Sequence, residues 1–314
     1  MTLAPWHAQD WQRLLARRAQ DRLPHALLLC GPAGLGKRAF ADAFVAALLC
    51  ERADEHQDGL ACGQCRACAL LKAGSHPDAV RVTLELRDDG GGTDQKRRTE
   101  IIVDQIRSLG ERLALTPQFG GMQIALIDPA DAMNASAANA LLKTLEEPTP
   151  ATVIILVADR PERLPATIRS RCQRIDFHLP PRAQALAWMS GQGVDAKTAP
   201  AALDVAAGNP GVALELAKSG GLALHAEVDA DLRALRGGKA TASQIAMRWS
   251  KSEPERRLWF AAMQLQDCAR ALTAPAELPK LAAGFDRINR AREQLRGPLR
   301  TELVILDALS ALAA

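Results

Sequence analysis

The chain has 314 residues, of which 48% are hydrophobic and 24% charged, with a net charge of +3. This length predicts two or three domains rather than one core, and the composition is that of a soluble globular protein. The small positive charge permits contact with nucleic acid without arguing for it. Because only 4% of residues are aromatic and none is Tyr, an aromatic platform that stacks single-stranded bases is not expected.

The N-terminal segment shows no targeting pattern. It lacks the basic stretch and apolar run of a secretory signal, and no apolar run reaches the ~18–20 residues that cross a bilayer. We therefore expect a cytoplasmic protein with no membrane contact. In that compartment the seven cysteines are expected to be metal ligands or small buried residues before disulfides.

Predicted helices and strands alternate along the first half. An amphipathic helix over about 9–22 comes first, and later apolar runs have the length and β-branched content of buried strands. Strands are predicted at 26–30, 79–84, 123–128 and 152–158, and helices follow the first strand to Leu49, over 103–113 and over 132–145. The glycine-rich, charged stretch 87–98 between them is predicted to be a surface loop. Strands that alternate with helices predict a parallel α/β sheet.

The second half is predicted to be helical. From about residue 180 the strand patterns end, and Ala/Leu helical patterns are interrupted at 208–211 and 220–221. The last helix, over 302–313, is apolar around much of its circumference, which is typical of a helix buried in its own bundle or against another subunit. The predicted domains are an α/β domain over 1–179 with an insertion at about 50–76, a small all-α domain over 180–221 and a second all-α domain over 222–314.

Residues 31–38 (GPAGLGKR) lie between a predicted strand and a predicted helix, which is the context that a P-loop requires. In such a loop, backbone N–H groups and the helix N-terminus bind phosphate. Candidate nucleotide-binding residues are therefore Gly31, Gly34, Gly36, Lys37 and Arg38. However, Arg38 stands where a Ser or Thr hydroxyl would bind Mg²⁺. The loop predicts a nucleotide-binding architecture with a defect in its metal site.

A second defect follows the strand predicted at 123–128. Asp128 ends that strand, where a P-loop ATPase places a carboxylate that holds Mg²⁺. The next residue is Pro129 rather than a glutamate that could position the attacking water. Together with Arg38, this pattern favours a chain that binds ATP or ADP weakly or not at all and does not hydrolyse it.

Four cysteines form the strongest candidate metal site. Cys62, Cys65 and Cys68 are spaced by two residues each, and Cys50 lies upstream. Four thiolates can complete a closed tetrahedral Zn²⁺ site, which is structural because no position remains for substrate. An iron–sulfur cluster uses similar spacings, ordinary unliganded cysteines are the other alternative, and His76 is a candidate substitute for one thiol. Zinc is the preferred interpretation.

Several motifs in this order resemble the bacterial clamp-loader subunits of the AAA+ class, over about residues 23–178. They are the P-loop at 31–38, the four-cysteine insertion, LLKTLEEP at 141–148 and SRC at 170–172. The resemblance implies an AAA+-type P-loop α/β domain followed by two small all-α domains, a lid (180–221) and an oligomerisation collar (222–314). It also implies a place in the DNA polymerase III holoenzyme, which as a whole is a DNA-directed DNA polymerase (nucleotidyltransferase).

The resemblance further implies which subunit type this is. Motor subunits of the class carry an arginine where this chain has Val212, in addition to the groups missing at Arg38 and Pro129. The chain is therefore similar to a non-hydrolysing subunit that assists ATP-driven loading of a sliding clamp onto primed DNA. The implied partners are the gamma/tau motor subunits, the delta subunit and, through the complex, the clamp and primer-template DNA.

Arg171, in the SRC motif, is the candidate catalytic residue. Taken alone, Arg169, Arg171 and Arg174 would be solvated or would bind the last carbonyls of a short helix. The resemblance implies that Arg171 instead projects into the ATP site of a neighbouring motor subunit. A planar, always charged guanidinium matches a phosphate that develops negative charge.

Two other functions stay open at this point. Lys37 and Asp128 are compatible with a self-sufficient AAA+ ATPase. The cysteine cluster is compatible with a zinc-dependent DNA-binding protein, for which Lys96, Arg97 and Arg98 are the candidate basic cluster.

Overall fold

The computed structural model describes residues 3–56, 58–86, 98–119, 121–271, 278–295, 297 and 299–313. Most of the predicted loop at 87–98, with Lys96 and Arg97, lies outside these residues. The chain divides into two compact units, one of 1–195 with 206–213 and one of 196–205 with 214–314. The three-domain boundaries given above stay a prediction.

The first unit contains a parallel sheet. The sheet has five strands in the order β2-β3-β4-β1-β5, and every neighbouring pair is parallel. The strands are Ala26–Cys30 (β1), Ala79–Val82 (β2), Gln123–Ile127 (β3), Thr152–Ala158 (β4) and Gln173–Asp176 (β5). The P-loop follows β1, so the predicted P-loop α/β class is confirmed.

Helices flank this sheet and build the second unit. In the first unit they are Ala8–Ala19 (α1), Lys37–Leu49 (α2), Arg66–Lys72 (α3), Val103–Leu113 (α4), Ala135–Glu146 (α5), Ala166–Arg169 (α6) and Arg182–Gly191 (α7). They continue with Thr198–Val205 (α8), Pro210–Lys218 (α9), Gly221–Arg236 (α10), Ala242–Trp249 (α11), Pro254–Ala271 (α12), Leu278–Gln294 (α13) and Thr301–Ala313 (α14). None of the described helices is long and apolar enough to cross a membrane.

Several sequence predictions differ from these bounds, including the strand expected to reach 128, which ends at Ile127. The first helix ends at Ala19 rather than at 22, the helix expected from 132 begins at Ala135, and the strand expected to reach 84 ends at Val82. Strand β5 was not predicted, because only Ile175 among its four residues is buried. An edge strand with one buried side chain has no period-2 apolar pattern to detect.

Apolar side chains cover both faces of the sheet. All seven residues of β4 are buried, as expected for a central parallel strand. One face packs against α1 and α2 through Trp11, Phe40 and Phe44. The opposite face packs against α4 and α5, with Leu109 and Leu141 fully buried. Each such side chain contributes about 1.5–3 kcal/mol on burial, so the sheet is a rigid support for the loops at its edge.

The second unit has its own core. Trp249 is fully buried, and its indole N–H donates to Asp231 Oδ2 at 2.8 Å. Ile305 and Leu309 of α14 are also fully buried, so the apolar terminal helix packs within its own bundle. Leu303 of the same helix is 58% exposed.

Candidate functional site

The candidate site lies at the carboxyl edge of the sheet. Strands β3, β4 and β1 are neighbours and run parallel, so the residues that follow them meet at one edge. Those residues are Asp128 after β3, Asp159 after β4 and Gly31 after β1. In open parallel sheets this edge is where ligands bind.

The P-loop has the backbone conformation that its sequence predicts. Gly34 and Gly36 both have φ of +86°, a left-handed conformation that a residue with a Cβ rarely adopts. Helix α2 begins directly after them, at Lys37. The loop therefore presents a helix N-terminus, which favours anions.

The ammonium group of Lys37 is fully engaged within the chain. It lies 2.6 Å from the carbonyl oxygen of Gly31, 2.7 Å from that of Pro32 and 2.7 Å from Asp159 Oδ1. An ammonium has three N–H donors, so all of them have partners. The Lys37 side chain is 1% exposed, which differs from a P-loop lysine that reaches outward to phosphate.

Arg38 bridges the two carboxylates at this edge. Its Nε lies 3.0 Å from Asp128 Oδ1, and its Nη2 lies 3.0 Å from Asp159 Oδ2. Lys37 and Arg38 thus face Asp128 and Asp159 as two cations and two carboxylates. We call these four residues the ion quartet.

The pKa values of the two carboxyls follow from this arrangement. Burial would raise the pKa of Asp159, but hydrogen bonds from Arg38 and Lys37 outweigh burial and hold it below the usual value. Burial raises the pKa of Asp128, and attraction to Arg38 offsets only part of that shift. Asp159 is therefore the firmly ionised centre of the quartet.

Two further side chains fix the loops around the quartet. Asn209 accepts a hydrogen bond from the N–H of Val212 at 3.2 Å, which caps α9, and donates to the carbonyl of Ala33 at 2.7 Å. Asp131 accepts from the N–H of Asp159 at 3.2 Å. Through Asn209, the start of α9 is attached to the P-loop.

The residues of the quartet do not fit a magnesium-nucleotide complex. Mg²⁺ requires near-octahedral oxygen ligands at about 2.0–2.1 Å, but position 38 offers no oxygen and its guanidinium has no acceptor. Oδ1 of Asp128, the carboxylate that follows β3, is paired with the Arg38 guanidinium.

The cysteine cluster is a second site. The Sγ atoms of Cys50, Cys62, Cys65 and Cys68 all lie within 4.8 Å of one another. Cys50 and Cys65 are 3.9 Å apart and Cys62 and Cys68 are 4.0 Å apart. Zn–S bonds of about 2.3 Å in a tetrahedron place thiolates about 3.8 Å apart, whereas a disulfide requires about 2.05 Å. The four thiols fit a tetrahedral metal ion.

Backbone N–H groups point at these sulfurs. Cys62 Sγ accepts from the N–H of Gln64 at 3.4 Å and of Cys65 at 3.3 Å, and these bonds lower its pKa to about 6. Burial raises the pKa of Cys68 to about 12. Because thiolates at this distance repel one another, a bound cation is needed to deprotonate all four. His76 is not in the cluster: its Nδ1 accepts from the N–H of Asp78 at 3.2 Å.

Arg171 lies at the surface, next to the end of α5. Its Nη2 is 2.6 Å from Glu146 Oε1, and its side chain is 37% exposed. Its Nη1 donates to the carbonyl of Thr167 at 3.0 Å. The residue is thus held locally, and its role in a neighbouring ATP site stays a prediction.

The chain is similar in sequence to subunits of DNA polymerase III. Residues 6–181 match the family described as DNA polymerase III, delta subunit. The chain is 39% identical over 248 residues to DNA polymerase III subunit delta-prime of Pseudomonas aeruginosa. The aligned segment covers 78% of this chain and 71% of that subunit. The chain belongs to the delta-prime family of DNA polymerase III subunits.

Other relatives agree. The delta-prime subunit of Escherichia coli is 37% identical over 68% of this chain and 60% of its own length. DNA polymerase III subunit tau of Bacillus subtilis is 34% identical over 50% of this chain and 25% of its own length. The matched part thus spans about three fifths to seven tenths of the two delta-prime relatives.

In this delta-prime family member, the structure brings together most of the predicted site residues. The predicted loop residues and Asp128 share one sheet edge, and the four cysteines share one cluster. Three further residues of these sites were not predicted from the sequence: Asp159, Glu146 and Asn209. The signal for Asp159 was available, because it follows directly on the buried strand β4, as Asp128 follows β3. Asn209 also had a local signal, because Asn followed by Pro is typical of a helix start, but its bond to Ala33 and the pairing of Glu146 with Arg171 depend on tertiary contacts.

Proposed function

We propose that this chain is a non-hydrolysing delta-prime subunit of a DNA polymerase III clamp loader. In that complex it assists ATP-driven loading of the sliding clamp onto primed DNA, together with gamma/tau motor subunits and the delta subunit. The proposal is supported by membership of the delta-prime family over residues 6–181. The ion quartet supports the non-hydrolysing part, because both cations of the loop are already paired.

We also propose that Arg171 acts in trans as an arginine finger. A surface guanidinium held by one partly exposed carboxylate can exchange that partner for a phosphate, since exposed ion pairs contribute only about 0–1 kcal/mol. A finger supplied in trans accelerates phosphoryl transfer by about 10³–10⁵. Such a finger would make hydrolysis depend on correct assembly.

The third element of the proposal is a structural Zn²⁺ held by Cys50, Cys62, Cys65 and Cys68. The distances between their sulfurs suit a tetrahedral ion. Four thiolates leave no open position, so the metal would stabilise the insertion between α2 and β2 rather than take part in catalysis.

The test of the function is Arg171→Ala in a reconstituted clamp-loader complex. We expect the complex to form normally and DNA-stimulated ATP turnover to fall, by about 10³ or more at the site that Arg171 serves. Arg174→Ala is the matched control, because Arg174 is also exposed and pairs with Asp176 within its own strand. Unchanged turnover with Arg171→Ala would remove this residue from the mechanism.

A further inference from the structure

The P-loop of this chain carries a cation where a working nucleotide site would bind one. The guanidinium of Arg38 contacts Asp128 at 3.0 Å and Asp159 at 3.0 Å, so it connects the ends of β3 and β4. These carboxylates follow neighbouring strands at the ligand-binding edge. At that edge a P-loop ATPase binds Mg²⁺ through such a carboxylate and the Ser or Thr hydroxyl that Arg38 replaces.

Asp159 also pairs with Lys37, which leaves the ammonium group no free donor for a phosphate. Asp159 Oδ1 and two backbone carbonyls hold its ammonium at 2.6–2.7 Å. A bound polyphosphate would have to take Lys37 from Asp159 and leave that carboxylate beside its own negative charge. Like charges at such distances in a partly buried site are unfavourable.

The cavity next to the loop is small. It is lined by Trp6, His7, Gly36, Phe40 and Trp188 among others, and its volume is about 90 Å³. Pockets that hold small organic ligands have volumes of about 300–1,000 Å³. This cavity is therefore too small to hold a nucleotide.

We propose that Arg38 is an internal substitute for the metal ion, and that the ion quartet turns the P-loop into a closed structural element. The Arg38 side chain would then be sufficient to prevent binding of a magnesium-nucleotide complex, independently of the groups missing at Pro129 and Val212. Removal of this side chain would expose a site for a nucleoside di- or triphosphate, because the loop backbone keeps the P-loop conformation. This role of Arg38 gives a structural reason for the proposed non-hydrolysing function, and it rests on that function only in taking the P-loop of this chain as inactive.

The test is binding of a fluorescent ADP analogue and of ATP to the isolated full chain, with Mg²⁺ and with EDTA. We expect Arg38→Thr to bind these nucleotides and to require Mg²⁺ for binding. The wild-type chain should show no binding at the same nucleotide concentrations, which corresponds to an affinity at least tenfold weaker. Arg38→Met removes the charge without supplying a hydroxyl, so its binding should be weaker than that of Arg38→Thr and insensitive to EDTA. Arg107→Thr, at an exposed arginine paired with Asp104, should behave as wild type.

Two results would overturn the inference. One is Mg²⁺-dependent binding by the wild-type chain as tight as that of Arg38→Thr. The other is an Arg38→Thr chain that unfolds cooperatively yet still binds no nucleotide. If Arg38→Thr lost cooperative unfolding, the Arg38→Thr/Asp159→Asn chain, in which the facing charge is also removed, would be judged by the same criteria. These measurements use the isolated chain, so their failure is distinct from failure of the Arg171 experiment in the complex.

Discussion

Arg171 and Glu146 form an ion pair of 2.6 Å between Nη2 and Oε1. Glu146 is the last residue of α5, and Arg171 lies just beyond the end of α6. The pair therefore joins the two most specific sequence motifs of the chain, LLKTLEEP and SRC. With side chains 37% and 50% exposed, both residues are accessible from solvent.

The Glu146→Gln substitution tests whether this pair holds Arg171 in reserve. The amide keeps the size of the side chain but removes the charge that competes with a phosphate for the guanidinium. An exposed pair contributes up to about 1 kcal/mol, so we expect DNA-stimulated ATP turnover of the complex to rise by up to about fivefold. Stability of the isolated chain should change by less than about 1 kcal/mol.

The matched control for this experiment is Glu147→Gln, at the neighbouring exposed glutamate. Turnover by that complex should equal that of the wild type. A fall in turnover with Glu146→Gln as large as that with Arg171→Ala would contradict the prediction, because it would mean that the pair is required for the active arrangement.

Substitution of a cluster cysteine tests the metal site. We expect the purified wild-type chain to contain one Zn²⁺ by elemental mass spectrometry and Cys65→Ser to contain much less. Because structural zinc contributes directly to folding, the insertion of Cys65→Ser should also become more sensitive to proteolysis. Cys268→Ser, outside the cluster, should keep the metal. Iron with acid-labile sulfide in the wild-type chain would identify an iron–sulfur cluster instead.

Several features of this molecule were predictable from sequence because their signals are local. Strands β1 and β4 are continuous apolar runs, and the cysteines are spaced within one insertion. Only part of the ion quartet could be predicted. Arg38 was recognised as a departure from the P-loop pattern, but its ion pair with Asp159 joins residues 121 positions apart in the sequence. Strand β5 also depends on a tertiary contact. It is defined by its pairing with β1 and not by burial of its side chains, so the sequence shows no apolar pattern there.

Stability should fall as the pH falls below neutrality, partly because of His7. This residue is 3% exposed, and burial lowers its pKa from 6.5 to about 4. The unfolded chain therefore binds a proton at a higher pH than the folded chain, so stability is complete above about pH 6.5 and is lost as the pH falls toward 4. The loss attributable to His7 is about 2 kcal/mol between pH 7.5 and 5.

Urea unfolding at pH 7.5 and pH 5 measures this effect. The difference between the two pH values should be smaller for His7→Gln than for the wild-type chain, whatever the absolute stability of the variant. His56→Gln, at an exposed histidine, is the control. Burial also lowers the pKa of His76 and His225, so part of the acid sensitivity should survive in His7→Gln. An unchanged difference would show that His7 is not buried in its neutral form.

Gly211, near the start of α9, should be intolerant of any side chain. A methyl group at this position would lie 2.9 Å from the Cα of Gly34 and closer still to its carbonyl oxygen. Both atoms belong to the P-loop backbone, which Asn209 already holds at Ala33, so neither side of the contact can yield cheaply. Overpacking of this kind costs about 1–3 kcal/mol.

Thermal unfolding of Gly211→Ala and Gly191→Ala separates this contact from a general effect of glycine replacement. A methyl group at Gly191, in α7, would meet nothing within 4 Å, so that variant should match the wild type or gain up to about 1 kcal/mol from helix propensity. Gly211→Ala should melt at a lower temperature than either. Equal melting temperatures for the two variants would mean that α9 can move away from the P-loop without loss, and that the closed loop does not depend on the close approach of these two glycines.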